Sequence, residues 1–221
     1  MNQTFFKPAF SLLELILVIL ILGILSSLVL PHKKTHFRQE AADNILADIR
    51  YTQYLALMDN KHLFDKPNWH KRFWKIMFGT CRRKDHTLFY MIGSDNDMTR
   101  HNTSGIFRKS EAARDPINGK AMFWTNGRKC NHITDNSISH RIFITKKYGI
   151  TQVKTSGGCK RNRYLGFDHL GRPHNGFTTS MQPNYKSYLS KPCIFTFVLR
   201  NDETFSIVIQ PETGYAFVED K

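Results

Sequence analysis

The chain has 221 residues, with 32 Lys and Arg against 18 Asp and Glu, for a formal charge of +14. Aromatic residues make up 13% of it, too many for a disordered polymer that buries no core. Roughly 190 residues follow the apolar N-terminal run, which leaves room for one modest domain.

The first element is that run, Phe10 to Leu30, uncharged except for Glu14. As a helix it would extend ~30 Å at ~1.5 Å per residue, the thickness of a bilayer hydrocarbon core. A secretory signal has an apolar region of only ~7–15 residues followed by small residues at a cleavage site. Ser26-Ser27 before Leu28-Val29-Leu30-Pro31 offers a poor one. Lys7 on one side and His32-Lys33-Lys34 on the other leave the orientation undecided by positive charge alone. A simple membrane anchor accommodates the run but leaves Glu14 unexplained, because a carboxylate in a span is costly and marks function by default. Cutting the chain between Ala9 and Phe10 would place a new α-amine four residues before Glu14, on the same helical face. An ammonium and a carboxylate in apolar surroundings attract strongly, within one chain or between neighbours.

The stretch Lys7-Pro8-Ala9-Phe10-Ser11-Leu12-Leu13-Glu14-Leu15 resembles the type IV prepilin cleavage and methylation motif shared by pilins and type II secretion pseudopilins. The resemblance implies cutting before Phe10 by prepilin peptidase and N-methylation of Phe10. It also implies a filament-assembly role for Glu14 and a helix kink at Pro31. Ala9 departs from the glycine usual before the cut, and alanine is tolerated in some members.

After Pro31 the pattern turns amphipathic. Phe37, Ala41, Ile45, Ile49 and Ala56, with Ala42, Leu46 and Leu55 beside them, approximate a 3.6-residue stripe. Arg38, Gln39, Glu40, Asp43 and Asp48 are assigned to the other faces, and the helix is expected to reach about Met58. The predicted organisation is a leader over 1–9, a transmembrane half-helix over 10–30, an amphipathic half-helix over 31–62 and an exported head over 63–221.

The head reads as β, giving an α+β class with a mainly antiparallel sheet. Phe73–Phe78 and Thr87–Ile92 are strand-like, and Gly93–Asn136 carries few periodic signals. His140–Lys146 and Gly149–Lys154 predict a hairpin across Lys147-Tyr148. Ile194–Leu199, Thr204–Ile209 and Tyr215–Val218 predict an antiparallel meander. Leu165–Pro173 and Phe205–Gly214 resemble H-type minor pseudopilins and FimT-like minor pilins.

Cys81, Cys130, Cys159 and Cys193 all lie beyond the anchor, and an even count in an exported domain predicts two disulfides with three pairings open. The expected pairing closes two separate loops, Cys81–Cys130 and Cys159–Cys193. Without a Cys-x-x-Cys or Cys-x-x-His pair, a zinc site is disfavoured. No hydrolase, metalloprotease or phosphate-loop motif occurs, and no cofactor is expected. Asp168-His169 and His174-Asn175 are assigned to surface loops.

Lys71-Arg72, Arg82-Arg83-Lys84, Lys146-Lys147-Tyr148 and Lys160–Tyr164 set basic residues beside aromatics, a combination suited to phosphate contacts and base stacking. Lys160, Arg161 and Arg163 are the candidate DNA contacts. The C-terminal Gly214–Lys221 has no arginine, unlike the DNA-binding segment of FimT-like proteins. The leading expectation is a non-catalytic minor pilin or pseudopilin held in the bacterial inner membrane by one span, its head on the periplasmic side. Its expected partners are prepilin peptidase, other pilin or pseudopilin subunits and the inner-membrane assembly platform. A DNA-uptake subunit with DNA as partner is the alternative; an exported enzyme on a signal anchor is the third.

Overall fold

A computed structural model describes residues 11–29, 33–63, 65, 68–82, 86–97, 107–130, 133–159, 162–178, 182–183 and 185–219. Two compact units result, Met1–Phe37 and Arg38–Lys221. In the first, α1 runs from Leu12 to Val29. The second helix, α2, spans Lys33–Met58 and ends where the amphipathic pattern predicts. The one long helix expected through Pro31 is thus described as two helices, and residues 30–32, Pro31 among them, lie outside the described residues.

Helix α2 buries Ala41, Ala42, Ile45, Ile49 and Ala56, while Leu46 and Leu55 pack at the margin of the core. Phe37 is exposed, so the engaged stripe begins one turn later than expected. Asp48 and Thr52 lie on the buried face as well, which corrects the assignment of Asp48 to solvent. Residues 45, 48, 49, 52 and 56 share a helical stripe, and here the carboxylate is kept inside because partners meet it. Longer polar side chains tie α2 to distant backbone. Arg38 Nε donates to the Thr204 carbonyl at 3.0 Å, and Gln53 Nε2 donates to those of Gly171 and Thr213 at 2.9 and 2.8 Å. Arg50 grips the Ala216 carbonyl through two donors at 3.2 and 2.8 Å.

The head contains eight strands among its described residues: β1 Trp74–Thr80, β2 Leu88–Gly93, β3 Ile150–Gly157, β4 Tyr164–Phe167, β5 Pro173–His174, β6 Cys193–Leu199, β7 Thr204–Ile209 and β8 Ala216–Glu219. They form two antiparallel sheets, ordered β2-β1-β4-β5 and β3-β6-β7-β8. The predicted meander is β6-β7-β8. In β6 alternate residues Cys193, Phe195, Phe197 and Leu199 point inward, the period of a half-buried strand. Phe78 of the first sheet meets Phe195 and Phe197 of the second at centroid distances of 5.1 and 5.5 Å.

The hairpin predicted across Lys147-Tyr148 is replaced by a short helix, α3, at Ile144–Tyr148. Ile144 and Tyr148 are buried at i, i+4 spacing, and Gly149, at φ 75°, terminates the helix in the left-handed conformation that costs glycine least. Strand β3 then pairs with β6 rather than with its upstream neighbour. Both disulfides join the expected partners, Cys81 with Cys130 and Cys159 with Cys193, with Cα separations of 5.9 and 4.9 Å. All four cysteines are consumed.

The partners of the Asp48 carboxylate come from two places in the chain. The Tyr90 hydroxyl, from β2, donates to one carboxylate oxygen, and Arg141 Nη2 donates to the other at 2.8 Å. The same guanidinium reaches Asp115 through Nη2 and Nε at 3.2 and 3.3 Å, and Ser139 also donates to Asp115. Burial pushes the Asp48 carboxyl up, against the pull of Arg141 and Tyr90. Burial also acts on Asp115, but hydrogen bonds from Ser139, the Ile117 N–H and Arg141 overcome it and hold that carboxyl down. Removing Arg141 would leave two buried carboxylates uncompensated, whereas Asp48→Asn keeps an oxygen for Tyr90. We expect Arg141→Met to cost about 3–5 kcal/mol and Asp48→Asn about 1–3 kcal/mol. Urea midpoints of the full-length chain in detergent measure both; equal losses would show that Arg141 is not the hub.

Candidate functional site

Helix α1 is apolar on every side. From Leu12 to Leu25 its large side chains are exposed, between 44% (Val18) and 77% (Leu12). A helix hydrophobic all round belongs inside something. Glu14 is the acidic residue of its first turn and is exposed. Ser11 caps this turn, its carbonyl and hydroxyl accepting the Glu14 N–H at 3.0 and 3.3 Å. The helix dipole favours a carboxylate there, so the position of Glu14 softens its cost. The capping role of Ser11 was readable in the spacing Ser11-Leu12-Leu13-Glu14 and was missed. Among the described residues no helix is long and apolar enough to cross a membrane. The 18 residues of α1 cover about 27 Å, under a hydrocarbon core of ~30 Å. Ala9, Phe10 and Pro31 lie outside the described residues.

Lys160 and Arg161 are likewise outside them; Arg163 is exposed, and its carbonyl accepts the Phe78 N–H at 2.8 Å. Two other basic stretches are brought together instead. The Arg82 N–H bonds the Arg128 carbonyl at 3.2 Å, and the Lys146 ammonium bonds the carbonyl of Cys130, the partner of Cys81. Arg128 lies 5.9 Å from the centre of the Trp124 ring, and Trp124 packs edge-on to Phe143 at 5.2 Å. Beside them opens a groove of about 540 Å³ lined by Ile133, His140, Arg141, Phe143, Lys146 and Lys147. Arg141 is turned inward to its two carboxylates, and Lys147 pairs with Glu40 at 3.3 Å. His140 and Lys146 are exposed residues of this lining, the Lys146 ammonium being held by the Cys130 carbonyl.

Asp168 and His174, expected on surface loops, are buried at 3% and 7% exposure. The turn between β4 and β5 folds over its own carboxylate. Asp168 Oδ1 accepts the Leu170 and Arg172 N–H groups at 2.9 Å each, and Oδ2 accepts Arg172 Nε at 2.7 Å and His174 Nε2 at 3.3 Å. The other ring nitrogen of His174 lies 2.9 Å from Ser187 Oγ, a partner that no spacing in the sequence announces. Asp168, His174 and Ser187 line a cleft of about 130 Å³ together with His62, Trp69 and His169. The rings of His62 and His169 stack at 5.5 Å. Among the described residues, the cluster spaced to hold a cation is Asp95, Asp97 and Glu111. Its Glu111 carboxylate already accepts the Asn96, Asp97 and Arg108 N–H groups and so closes a loop.

No family model matches this chain, and no curated protein or solved structure is significantly similar to it.

Burial raises the Asp168 carboxyl, but the hydrogen bonds from His174 and Arg172 prevail and hold it at about 2. An unfolded Asp titrates near ~3.9, so the stabilisation of roughly 2 kcal/mol is complete above that pH and is lost as pH falls towards the folded value. The urea midpoint of the native chain should therefore drop more steeply between about pH 4 and 2 than that of Asp168→Asn. Parallel curves would remove Asp168 from the acid transition.

Proposed function

We propose that this protein is a minor pilin or pseudopilin, a subunit of a bacterial type IV pilus or type II secretion filament. The observation that carries the reading is α1, an all-round apolar helix exposed along its length with one carboxylate in its first turn. The motif Lys7–Leu15 that begins just before it supports the same reading. Assembly requires no chemistry at the head; a disulfide-bonded β domain on an amphipathic helix suits export and display. In this reading prepilin peptidase cuts between Ala9 and Phe10 and methylates Phe10. Residues 10–30 then hold the chain in the inner membrane until the assembly platform passes it to neighbouring subunits. The Glu14 carboxylate meets the α-amine of an adjacent chain. The finer placement among H-type or FimT-like subunits rests on the Leu165–Pro173 and Phe205–Gly214 stretches.

The mature chain should begin at methylated Phe10. Glu14→Ala should leave that processing intact and reduce recovery in sheared filaments. Terminal mass spectrometry of membrane fractions reads the first claim, and an intact Met1 in peptidase-competent cells defeats the assignment.

A second reading, DNA binding for uptake, is favoured by the convergence of Arg82, Arg128 and Lys146 beside an open groove. A specific groove neutralises several phosphates together, so log K should fall with log salt at about −0.9 per phosphate on duplex DNA. Replacing Arg82, Arg128 and Lys146 with Ala should cut that slope by up to ~3, and more than replacing Lys160, Arg161 and Arg163. Equal losses from the two triple variants would mean diffuse attraction by a basic protein.

A further inference from the structure

The cleft under the β4–β5 turn contains a hydrogen-bonded row of side chains that filament assembly does not use. Backbone pairing fixes all three members. Gly166 of β4 lies opposite His174 of β5, and a side chain at Gly166 would collide with the Phe177 ring. The segment after the single-turn helix Tyr185–Ser187 runs antiparallel beside β5. The Asn175 N–H bonds the Ser187 carbonyl at 2.8 Å, and the Leu189 N–H bonds that of Pro173 at 3.1 Å. Ser187 is thereby set next to His174, with Asp168 on the far side of the ring. The imidazole is wedged among Phe73, Phe177 and Tyr188, at centroid distances of 4.9, 6.4 and 5.7 Å, so it has little freedom to turn away.

The protonation pattern follows from the acceptor at one end. Asp168 is ionised above about pH 2 and has no proton to give, so His174 Nε2 carries the hydrogen of the 3.3 Å contact. The Nδ1 lone pair then faces the Ser187 hydroxyl at 2.9 Å. Nucleophile, base and orienting carboxylate stand in the order that activates a serine.

We propose that Ser187 is a nucleophile for acyl transfer from small esters, with His174 as its general base and Asp168 as the positioning carboxylate. Ser187 Oγ forms a bond to the ester carbonyl carbon as its proton passes to His174 Nδ1. The C–O bond to the leaving alkoxide then breaks, and the alkoxide takes that proton away as an alcohol. Water repeats the sequence on the acyl-serine, releases a carboxylic acid and restores the hydroxyl. The cleft of about 130 Å³ is small, which favours an acetyl-sized acyl group. His169 lines the same cleft. Arg172 shares the Asp168 oxygen with His174, which weakens the carboxylate's support of an imidazolium and predicts slow turnover.

Covalent capture is the sensitive readout. The full-length chain in detergent, treated with a small alkyl fluorophosphonate, should incorporate one phosphonyl group, mapped by peptide mass to Ser187. Labelling should vanish in urea. His174→Gln should slow it at least ~100-fold, the contribution of a general base. p-Nitrophenyl acetate should give an acetylated Ser187 in the same peptide. Absence of labelling on the folded native chain, or modification of a different serine, overturns the proposal. These readouts on the native chain remain decisive if His174→Gln fails to fold, and none depends on filament assembly.

Discussion

One buried guanidinium organises the head. Arg141 is shared by Asp48 from α2 and Asp115 from the irregular region before β3, and Tyr90 of β2 closes the group on the helix side. Two carboxylates facing one cation cannot be relaxed by small shifts without stranding a charge, so the geometry is demanding even where its net stabilisation is modest. Asp48 stands between Ile45 and Ile49 on the buried stripe, so the ion pair and the apolar contacts specify the same rotation of α2. A turn of the helix about its axis would break both at once. The Arg50 bond to the start of β8 and the Gln53 bonds to the β4–β5 and β7–β8 turns reinforce that setting along the helix.

The N-terminal unit poses the opposite problem. Twelve large apolar side chains between Leu12 and Leu25 are exposed. Covering such side chains is worth ~1.5–3 kcal/mol each, which totals tens of kcal/mol. In the proposed filament subunit, lipid before assembly and neighbouring helices after it would supply that cover. The near absence of a polar face on α1 distinguishes it from α2, whose apolar stripe is already occupied by the head.

What could be read from the chain divides along a physical line. Features carried by periodicity were legible: the extent of α2, the β1 and β2 runs, and the β6-β7-β8 meander. The disulfide pairing also emerged, because the unnested choice asks least of the chain. Features carried by long-range polar partners were not. Asp48 reads as solvent-facing until Tyr90 and Arg141 are seen around it. Lys75 interrupts a strand pattern, yet it is fully buried, its ammonium bonded to the Lys71 carbonyl at 2.9 Å and 5.7 Å from the centre of the Phe177 ring. Ser187 becomes a partner of His174 only through backbone pairing of distant segments. Helix α3 was misread as a strand because its i, i+4 apolar pair spans too few residues to reveal a period.

The Cys81–Cys130 bond ties together the segments that carry the basic residues beside the groove. It closes a loop of 49 positions, and in the entropy model such a bond restricts the unfolded chain by about 4 kcal/mol. Its local consequence is as specific as its global one. The bond brings the segment carrying Arg82 against the one carrying Arg128, and the Cys130 carbonyl holds the Lys146 ammonium. Three basic residues from separate parts of the sequence are thus carried by neighbouring segments. In a reducing compartment the tether would be absent, and charge repulsion would favour separating the segments. In the proposed exported setting the disulfide would form, and the segments carrying Arg82, Arg128 and Lys146 would stay together beside the groove.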